Sequence, residues 1–383
     1  MQYKITPIDP IISRDARPFG AGGRVRSLDW LTQTAAAGAV RTFLYKQGCE
    51  QIDELLSVKV RGPFPLFNNQ LGFARPLDIA VSLKDKKRYI WQIKPCKIPE
   101  GCYVEMPLEG LLPAEPDRSE SDDDFKPEKI NLFWSYELMA HWLKHGKKDF
   151  ELFNKDDKEQ GSFAGPEHDE RVHVRIDPET GASEDGQLFS TTGLDFVRKT
   201  NKLEQSCALV DIELGVLKDK CNLPERFIMP FGGERRLAEF SLLKLNNLNN
   251  LNNNKLESMN LNLKFYKGDK VRLVLASPGI FNQGWLPDWI DKSSLTGKLP
   301  GSDIEFKLIS AVTGRWQPIS GWSYEKGRAG AKAAQRMVPA GSVYFLELLS
   351  DEFNSDLFQL KSICSEQQAY NDGFGLALWG SLN

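Results

Sequence analysis

The chain has 383 residues, of which 41% are hydrophobic and 10% aromatic, enough to build two domains, or one large one, with an apolar core. Its formal net charge is −3, which excludes a protein that holds a polyanion through a uniformly positive surface, so any nucleic-acid site must be a local patch. No apolar run approaches the roughly 18 residues that a membrane-spanning helix needs, and the N-terminus has no apolar signal core.

The chain opens with a predicted strand over residues 3–12, followed by a segment rich in glycine and arginine at residues 13–27. Four arginines in this segment stand against the single acid Asp15, and its glycines let the backbone approach a ligand closely. It precedes a helix N-terminus, where backbone N–H groups favour anions. Phosphate contact and a flexible surface loop remain equally open. The candidate residues are Arg14, Arg17, Arg24 and Arg26, with Gly20, Gly22 and Gly23.

Two helices are predicted in the first half. Ser27 can cap the first, whose apolar side chains recur at helical spacing, and Arg41 lies within it, able to reach past the core. The second is predicted over residues 129–145. Its His141 and His145 lie four apart, as in zinc-binding helices, but the glutamate after the first histidine and a third ligand are missing. An ordinary helix C-terminus with cationic side chains is therefore favoured over a metal site.

Strands and insertions are predicted around these helices. Residues 58–106 consist of short strands broken by prolines, and the acidic loop at 113–127 should be kept away from phosphates. Residues 207–217 alternate as a strand that would close the first sheet. The Asn- and Leu-rich stretch at 243–263 is typical of a mobile insertion without chemistry of its own.

A hairpin over residues 171–191 is the clearest element. Alternation divides its first strand into two faces, Val172, Val174 and Ile176 on one and Arg171, His173 and Arg175 on the other. The turn at 177–181 contains proline and glycine in suitable places. The pattern predicts an arm with an apolar face and a cation-rich face suited to a polyanion. On periodicity alone, an ordinary half-solvated hairpin is the favoured alternative.

The second half repeats the combination of glycine with basic residues. The combination occurs in FGGERR at 231–236 and in the basic segment 325–339. The turn before the last strand contains glycines without basic residues. Four tryptophans at positions 285, 289, 316 and 322 could stack on bases, although burial is the commoner fate. The candidate residues here are Gly232, Gly233, Arg235, Arg236, Lys332, Arg336, Gly373 and Gly375.

Several kinds of site are missing from the sequence. There is no nucleophilic triad, paired-carboxylate signature, Walker loop or dinucleotide fingerprint, and the six cysteines form no CxxC pair. These observations predict a cytoplasmic protein with free thiols, no catalytic residues, no metal and no cofactor. Glycine with arginine in several places favours a protein that binds the nucleic-acid backbone.

A series of motifs resembles one known family. In chain order it comprises ITPIDPIISRDARPFG, LDWLTQTAAAGAVRT, HVRIDPETGASEDGQLFST, FGGERR, VPAGSVYFLEL and GFGLALWG. Together they are similar to the third subunit of the type III-B (Cmr) CRISPR effector complex, in the RAMP superfamily. The resemblance covers residues 5–380 and is thin over 113–127 and 243–263.

The resemblance implies an α+β protein with two tandem ferredoxin-like (RRM-like) domains, a projecting β-hairpin thumb and loop insertions. By position, residues 1–218 would form the first domain, including an insertion at 58–128 and the thumb at 168–195. Residues 219–383 would form the second, with the Asn-rich insertion at 243–263. GFGLALWG would be the glycine-rich loop of the superfamily rather than a base-stacking motif, because Asp372 replaces the basic residue expected there.

The resemblance also implies a non-catalytic subunit that binds and caps the 5′ repeat-derived handle of the CRISPR RNA. Its partners would be that handle, the large polymerase-like subunit, the backbone subunit next to the 5′ end and, indirectly, the target RNA, but not a membrane. The expected RNA-binding residues are Arg14, Arg17, Arg24, Arg26, Arg41, His173, Arg175, Arg235, Arg236, Lys332 and Arg336.

Two other functions stay open. As other superfamily members do, the chain could be a metal-independent endoribonuclease that processes repeat RNA, with His168 or His173 as the general base or acid. It could also be a pure scaffold that docks the large subunit, for example through residues 284–289, and barely touches RNA.

Overall fold

The structure is a computed structural model that describes residues 1–17, 24–84, 87–117, 126–148, 150, 161–198, 204–243, 259–323 and 330–382. Strands dominate these ranges and helices are few and short, which confirms the α+β class. Some predicted features lie outside the described residues: Gly20, Gly22, Gly23, the acidic run at 122–124, most of the Asn-rich stretch, and Lys326 and Arg328.

The described residues form four α-helices. They are α1 (Gln33–Lys46), α2 (Ile52–Ser57), α3 (Tyr136–His145) and α4 (Gln367–Asn371), with 3-10 turns at Gly215–Leu217 and Ser355–Leu357. The predicted cap of the first helix was wrong, because Thr32 accepts the Ala35 N–H at 3.3 Å, whereas Ser27 donates its hydroxyl to Thr192 O. The second predicted helix begins late, because residues 133–135 form a strand and Ser135 is the cap.

The strands of the first half lie between residues 2 and 242. They are β1 (Gln2–Pro7), β2 (Arg24–Val25), β3 (Lys59–Phe67), β4 (Gln70–Ala74), β5 (Ile79–Lys84), β6 (Lys87–Pro95), β7 (Ala114–Pro116), β8 (Phe133–Ser135), β9 (Ser162–Phe163), β10 (Glu167–Ile176), β11 (Ser183–Asp195), β12 (Val197–Arg198), β13 (Glu204–Glu213), β14 (Arg226–Pro230) and β15 (Leu237–Leu242).

The strands of the second half follow the Asn-rich stretch. They are β16 (Lys264–Tyr266), β17 (Lys270–Leu275), β18 (Gly279–Ile280), β19 (Thr296–Lys298), β20 (Glu305–Val312), β21 (Gln317–Ile319), β22 (Trp322–Ser323), β23 (Gly330–Ala331), β24 (Gln335–Val338), β25 (Val343–Leu348), β26 (Glu352–Asn354), β27 (Lys361–Ser362) and β28 (Leu376–Ser381).

The large sheet of the first half has the order β14-β15-β1-β13-β3-β4-β8-β9, with β12 beside β13. Alternation along β1 buries Tyr3 and Ile5 in a core that also takes Val40 of α1 and Val210 of β13. Strand β13 is central and does not close the sheet as predicted. Strands β3 and β4 belong to this sheet too, so residues 59–74 are not part of an insertion, whereas β5, β6 and β7 form a separate small sheet.

The main sheet of the second half has the order β19-β20-β25-β17-β28-β27. One face covers a core of its own, and the other shares a core with the first half, where Val274, Phe345 and Leu378 join Phe73 and Trp142. The two halves are therefore joined by a continuous apolar contact. Strands β14 and β15 extend the first sheet to Leu242, so pairing continues well past the division predicted at residues 218 and 219.

A fully buried ion pair lies at the junction of the halves. Arg272 of β17 places Nη1 2.7 Å from Asp78 Oδ2, and neither side chain has any exposed surface. Trp142 of α3 donates its Nε1–H to Asp78 Oδ1 at 2.9 Å and accepts an Arg272 N–H with its carbonyl oxygen. Arg272 Nε donates to Ser381 O at 3.0 Å. The network thus connects β17 and β28 to a helix and a loop of the first half.

The cysteines correct one prediction. Cys49 and Cys221 form a disulfide with their Cα atoms 6.6 Å apart, so these two are not free thiols. Burial raises the pKa of the Cys207 thiol to about 11, and burial likewise raises the pKa of Cys364 to about 11. Cys102 is exposed.

Thiol alkylation should follow this division. Because the thiolate is the nucleophile, iodoacetamide at mildly alkaline pH should label Cys102 quickly and leave Cys207 and Cys364 unlabelled in the folded chain. Peptide mass spectrometry would measure each site, and labelling in denaturant, where all three should react, is the control. Equal rates for Cys102 and Cys207 in the folded chain would contradict the buried position of Cys207.

No helix within the described ranges is both long and apolar enough to cross a membrane.

Candidate nucleic-acid interface

The N-terminal arginine segment lies against the second half of the chain. Its ends are held together, since Leu28 N donates to Ser13 O at 2.8 Å. Between them, Ala16 N donates to Pro318 O of β21 at 3.2 Å. This contact places Arg17, which follows Ala16, and Arg14, two residues before Ala16, beside a region that is distant in sequence.

Arg14 and Arg17 are both exposed at this contact. Arg17 places Nε 3.2 Å from Asp15 Oδ2, and Arg14 donates an Nη2–H to Arg17 O at 3.2 Å. In this pair 57% of the Arg17 side chain is exposed but only 11% of the Asp15 side chain, so solvent reaches the cation more than the carboxylate. The exposed surface of Arg17 therefore gives an anion access to its guanidinium group.

The segment across the contact carries cations and exposed aromatic rings. Pro318 pairs with Arg336 of β24, and the Arg336 guanidinium carbon lies 4.8 Å from the centre of the Trp316 ring. The Trp316 and Trp322 residues are 48% and 60% exposed. Residues 313–323 and 330–338 contain two arginines, one lysine and no acid. Exposed indoles among cations are the groups that bind unpaired bases and their phosphates.

Lys332 borders a cavity next to these residues. Its backbone N–H donates to Gly321 O at 2.8 Å. The cavity has a volume of about 250 Å³ and lies between the first turn of α1 and strand β24. Its wall combines the apolar side chains of Ile319 and Phe374 with Lys332, Gln335 and other polar groups, a mixture that orients a polar ligand.

We call Arg14, Arg17, Trp316, Trp322, Lys332 and Arg336 the basic aromatic surface. Four of the predicted RNA-binding residues belong to it. Burial is the expected fate of both tryptophans, but the structure leaves them exposed. That expectation holds for Trp285 and Trp289, which are partly buried against the second core. Only the tertiary packing determines which tryptophans are exposed and which are partly buried.

The other N-terminal arginines lie beside the hairpin. Strand β2 pairs in parallel with β11, and Arg24 places Nη2 2.9 Å from Glu170 Oε2. Arg26 is exposed just after this strand. Arg24 therefore lies on the hairpin, whereas the Arg26 carbonyl oxygen accepts a hydrogen bond from Asp15 N at 3.4 Å, which keeps Arg26 close to the first part of the segment.

The hairpin itself is formed as predicted by β10 and β11, with His173 opposite Phe189. The His173 ring stacks on the Phe189 ring with centres 5.0 Å apart, and its Nε2 lies 2.9 Å from Thr191 Oγ1. Arg175 Nε lies 3.2 Å from Glu184 Oε1. RNA contact by His173 and Arg175 remains a prediction, because each already has a partner within the hairpin.

The charge of the hairpin differs from the predicted cation-rich arm. Residues 167–195 contain eight acids and two arginines, a net charge of −6 with histidine neutral. Both arginines meet hairpin carboxylates, Arg171 through Asp169 and Arg175 through Glu184. The pattern of residues 171–176 does not predict this charge, because all eight acids lie before or after that stretch.

The FGGERR stretch forms the tight connection between β14 and β15. Gly233 N donates to Ile12 O at 2.8 Å, and Gly232 has a φ of +74° with no room for a side chain beside Ile12. Arg235 is exposed, and Arg236 Nη2 lies 3.7 Å from Glu234 Oε2. These glycines hold the turn against the start of the arginine segment, so Arg235 remains a candidate by position.

Three predicted site residues lie inside the protein instead. Arg41 forms an ion pair with Asp372 and donates to Val58 O at 2.7 Å, with only 11% of its side chain exposed. Gly373 and Gly375 have φ values of +83° and +65°, and an added Cβ would collide with Val60 O and with Cys364. Arg41 therefore helps to pack the two halves together, which corrects the prediction that it contacts RNA. The two glycines let their turn approach Val60 of the first half and Cys364 of the second half closely.

One histidine considered for catalysis, His168, and one considered for metal binding, His141, have ordinary partners. His168 Nε2 lies 3.2 Å from Asp29 Oδ1, and His141 Nε2 lies 2.9 Å from Lys148 O. Across the part of the chain that the structure describes, no group of three or more potential metal ligands is found.

Comparison with known proteins gives a family match over almost the whole chain. The family model described as "CRISPR-associated protein (Cas_Cmr3)" matches residues 3–382. A search of curated proteins found no match.

Among solved structures, the chain is similar to one in the cryo-EM structure of the Type III-B Cmr-beta bound to cognate target RNA and AMPPnP, state 1. The identity is 17%, with 90% of this chain and 86% of that chain covered and a TM-score of 0.47. For the Type III-B Cmr-beta bound to cognate target RNA, the identity is 15%, the coverage 90% and 86%, and the TM-score 0.48. For the Csm3-Csm4 subcomplex of the type III-A interference complex, the identity is 12%, with 91% of this chain and 94% of that chain covered and a TM-score of 0.30.

Proposed function

Because this chain belongs to the Cas_Cmr3 family of CRISPR-associated proteins, we propose that it is a non-catalytic, RNA-binding subunit of a type III-B CRISPR effector complex. Its family membership, predicted from the motif series, is confirmed. In this role it binds and caps the 5′ handle of the CRISPR RNA. It docks the large polymerase-like subunit and the adjacent backbone subunit, and it meets the target RNA only indirectly.

The hydrogen bond from Ala16 N to Pro318 O is the observation that carries this proposal. It joins the arginines of the N-terminal segment to the exposed tryptophans of the second half. Arginines bind phosphates, and exposed indoles stack on bases that have no Watson–Crick partner. A short single-stranded RNA end presents phosphates and unpaired base faces at once, whereas a duplex hides the faces of its bases. The basic aromatic surface therefore suits a single-stranded handle.

Strand order supports two tandem ferredoxin-like domains. In the first half the order β15-β1-β13-β3 corresponds to strands 4-1-3-2 of that fold, all antiparallel, with α1 between the first two. In the second half β28-β17-β25-β20 follows the same order, with α4 before the last strand. On this basis the first domain extends to Leu242, and the β10–β11 hairpin is its thumb.

Replacing both Arg14 and Arg17 with alanine should weaken binding of a handle RNA by the folded chain. Each lost phosphate contact on a single strand should also reduce the slope of log K against log salt by roughly 0.7. Fluorescence anisotropy with labelled handle RNA at several salt concentrations would measure both quantities, and gel analysis in EDTA should find the RNA uncut. Site-specific cleavage would instead favour the endoribonuclease.

The matched control is the double variant Arg226→Ala with Lys220→Ala, which removes two exposed cations elsewhere in the first half. It should leave the salt dependence nearly unchanged. If the Arg14 and Arg17 variant folds and keeps the affinity of the wild type, these arginines do not hold the handle. Loss of affinity in both variants alike would point to a diffuse charge effect.

A further inference from the structure

The hairpin exposes a row of aliphatic side chains. Val172, Val174 and Ile176 alternate along β10 and so point to one face, and Leu188 of β11 lies directly opposite Val174. All four residues are exposed to solvent, Val172 to 67% and Leu188 to 60% of its surface. We call these four residues the apolar row. A contiguous apolar face on a protein surface indicates a contact with another molecule.

The part of the hairpin that carries this row is not covered by the described residues. No residue of β10 is buried, and burial in β11 begins only at Thr191. Near that point Leu194 exchanges backbone hydrogen bonds with Ile11, which anchors the base of the hairpin. A two-stranded ribbon with both faces in water is only marginally stable, so a partner that covers the apolar row would also stabilise it.

The negative charge around the apolar row indicates what kind of molecule can bind there. The hairpin has a net charge of −6, and Arg24 and Arg26 of the adjacent segment bring this only to −4. Asp177 stays ionised in the turn, because the backbone N–H of Glu179 lowers its pKa. Glu179 and Asp185 are exposed close to the turn. This field repels phosphates and attracts lysine and arginine.

We propose that the apolar row is a docking site for a partner protein that offers an apolar groove bordered by basic residues. The inference rests on the proposed place of the chain in an effector complex, and it gives the hairpin a protein contact rather than an RNA contact on this face. Hydrophobic contact would supply the affinity, and the acidic border would set the orientation. The opposite face, with His173 and Arg175, is not involved.

Two matched pairs of substitutions test the apolar part. Val172→Asp with Leu188→Asp places two charges in the row, whereas Val216→Asp with Leu357→Asp does so at residues that are 62% exposed elsewhere. Binding of each full-length variant to an immobilised type III-B complex that lacks only this chain would be measured by interferometry. The first pair should weaken association about tenfold or more, and the control pair should leave it nearly unchanged.

The charge of the partner is tested by reversal of sign. Glu179→Lys with Asp185→Lys should weaken association if the opposing surface is basic. If that surface is RNA, the same change should strengthen it. A photoreactive p-benzoylphenylalanine at position 188 identifies the partner directly: crosslinks to a polypeptide support the proposal, and crosslinks to RNA overturn it.

The remaining outcomes are equally decisive. Unchanged association of the Val172 and Leu188 variant overturns the proposal, as does tighter association after charge reversal. The affinity of the isolated Val172 and Leu188 variant for handle RNA is measured in parallel and should stay close to that of the wild type. If the wild-type chain itself fails to join the complex, the proposed function fails, and the hairpin inference fails with it.

Discussion

Replacing Arg272 with methionine should lower the free energy of unfolding by about 3–5 kcal/mol, the usual cost of leaving a buried charge without its partner. Asp78 would keep the Trp142 N–H as a hydrogen-bond donor but lose the cation 2.7 Å from its other oxygen. Methionine cannot replace the bonds that the guanidinium makes to the carbonyl oxygens of Trp142 and Ser381. Urea denaturation followed by circular dichroism would measure the loss.

The position of the pair explains why the effect should reach the whole chain. Arg272 shares a face of β17 with Val274, which belongs to the core between the two halves. Loosening this core separates the second sheet from α3 and from the loop that holds Asp78. The basic aromatic surface also bridges the halves, so RNA binding should fall together with stability.

Arg226→Met provides the control, because it deletes an arginine of an exposed pair with Glu239. Pairs of that kind contribute about 0–1 kcal/mol, so the control should unfold almost like the wild type. Adding Asp78→Leu to Arg272→Met should recover part of the loss, since no unpaired charge then remains in the core. A cost below about 1 kcal/mol for Arg272→Met alone would contradict the assignment.

The second large effect is expected on RNA affinity. Trp316→Ala and Trp322→Ala should each weaken binding of single-stranded handle RNA roughly 5- to 150-fold, the range that corresponds to the loss of one stacked base. The two indoles are 48% and 60% exposed, so their removal leaves no cavity and should not unfold the chain. Anisotropy with handle RNA would measure the affinity, and thermal unfolding would confirm the fold.

Two further variants separate stacking from other effects. Phenylalanine at either position keeps an aromatic face and should restore most of the affinity. Tyr103→Ala, which removes an exposed ring from another surface, should have little effect. The tryptophan variants should also retain the wild-type salt slope, in contrast to the variant of Arg14 and Arg17. Equal losses for the phenylalanine and alanine variants would contradict a stacking role.

Local pattern predicted many of the elements. Alternation identified β13 and the hairpin of β10 and β11, because side chains on a strand alternate whatever surrounds it. The boundaries of α1 and α3 were less well predicted. Ser27 has the chemistry of a cap, but its hydroxyl bonds to Thr192, a residue far along the chain, and Thr32 caps the helix instead.

The candidate site was predicted in part. Arg14, Arg17, Lys332 and Arg336 are glycine-associated basic residues, and backbone hydrogen bonds bring their segments together. Arg41 belongs to the same class of residue in the sequence, yet it is buried against Asp372. Nothing local distinguishes an arginine that neutralises a distant carboxylate from one that faces solvent.

The sequence by itself therefore determined the family, the α+β class, the hairpin and the residues that share each of its faces. Tertiary structure decided what each face meets. Periodicity places Val172 and Val174 together, but it cannot tell whether that side packs on a core or remains in water, and here it remains in water. The meeting of Ala16 with Pro318 likewise depends on how two sheets pack, because burial and long-range contacts arise from the whole chain.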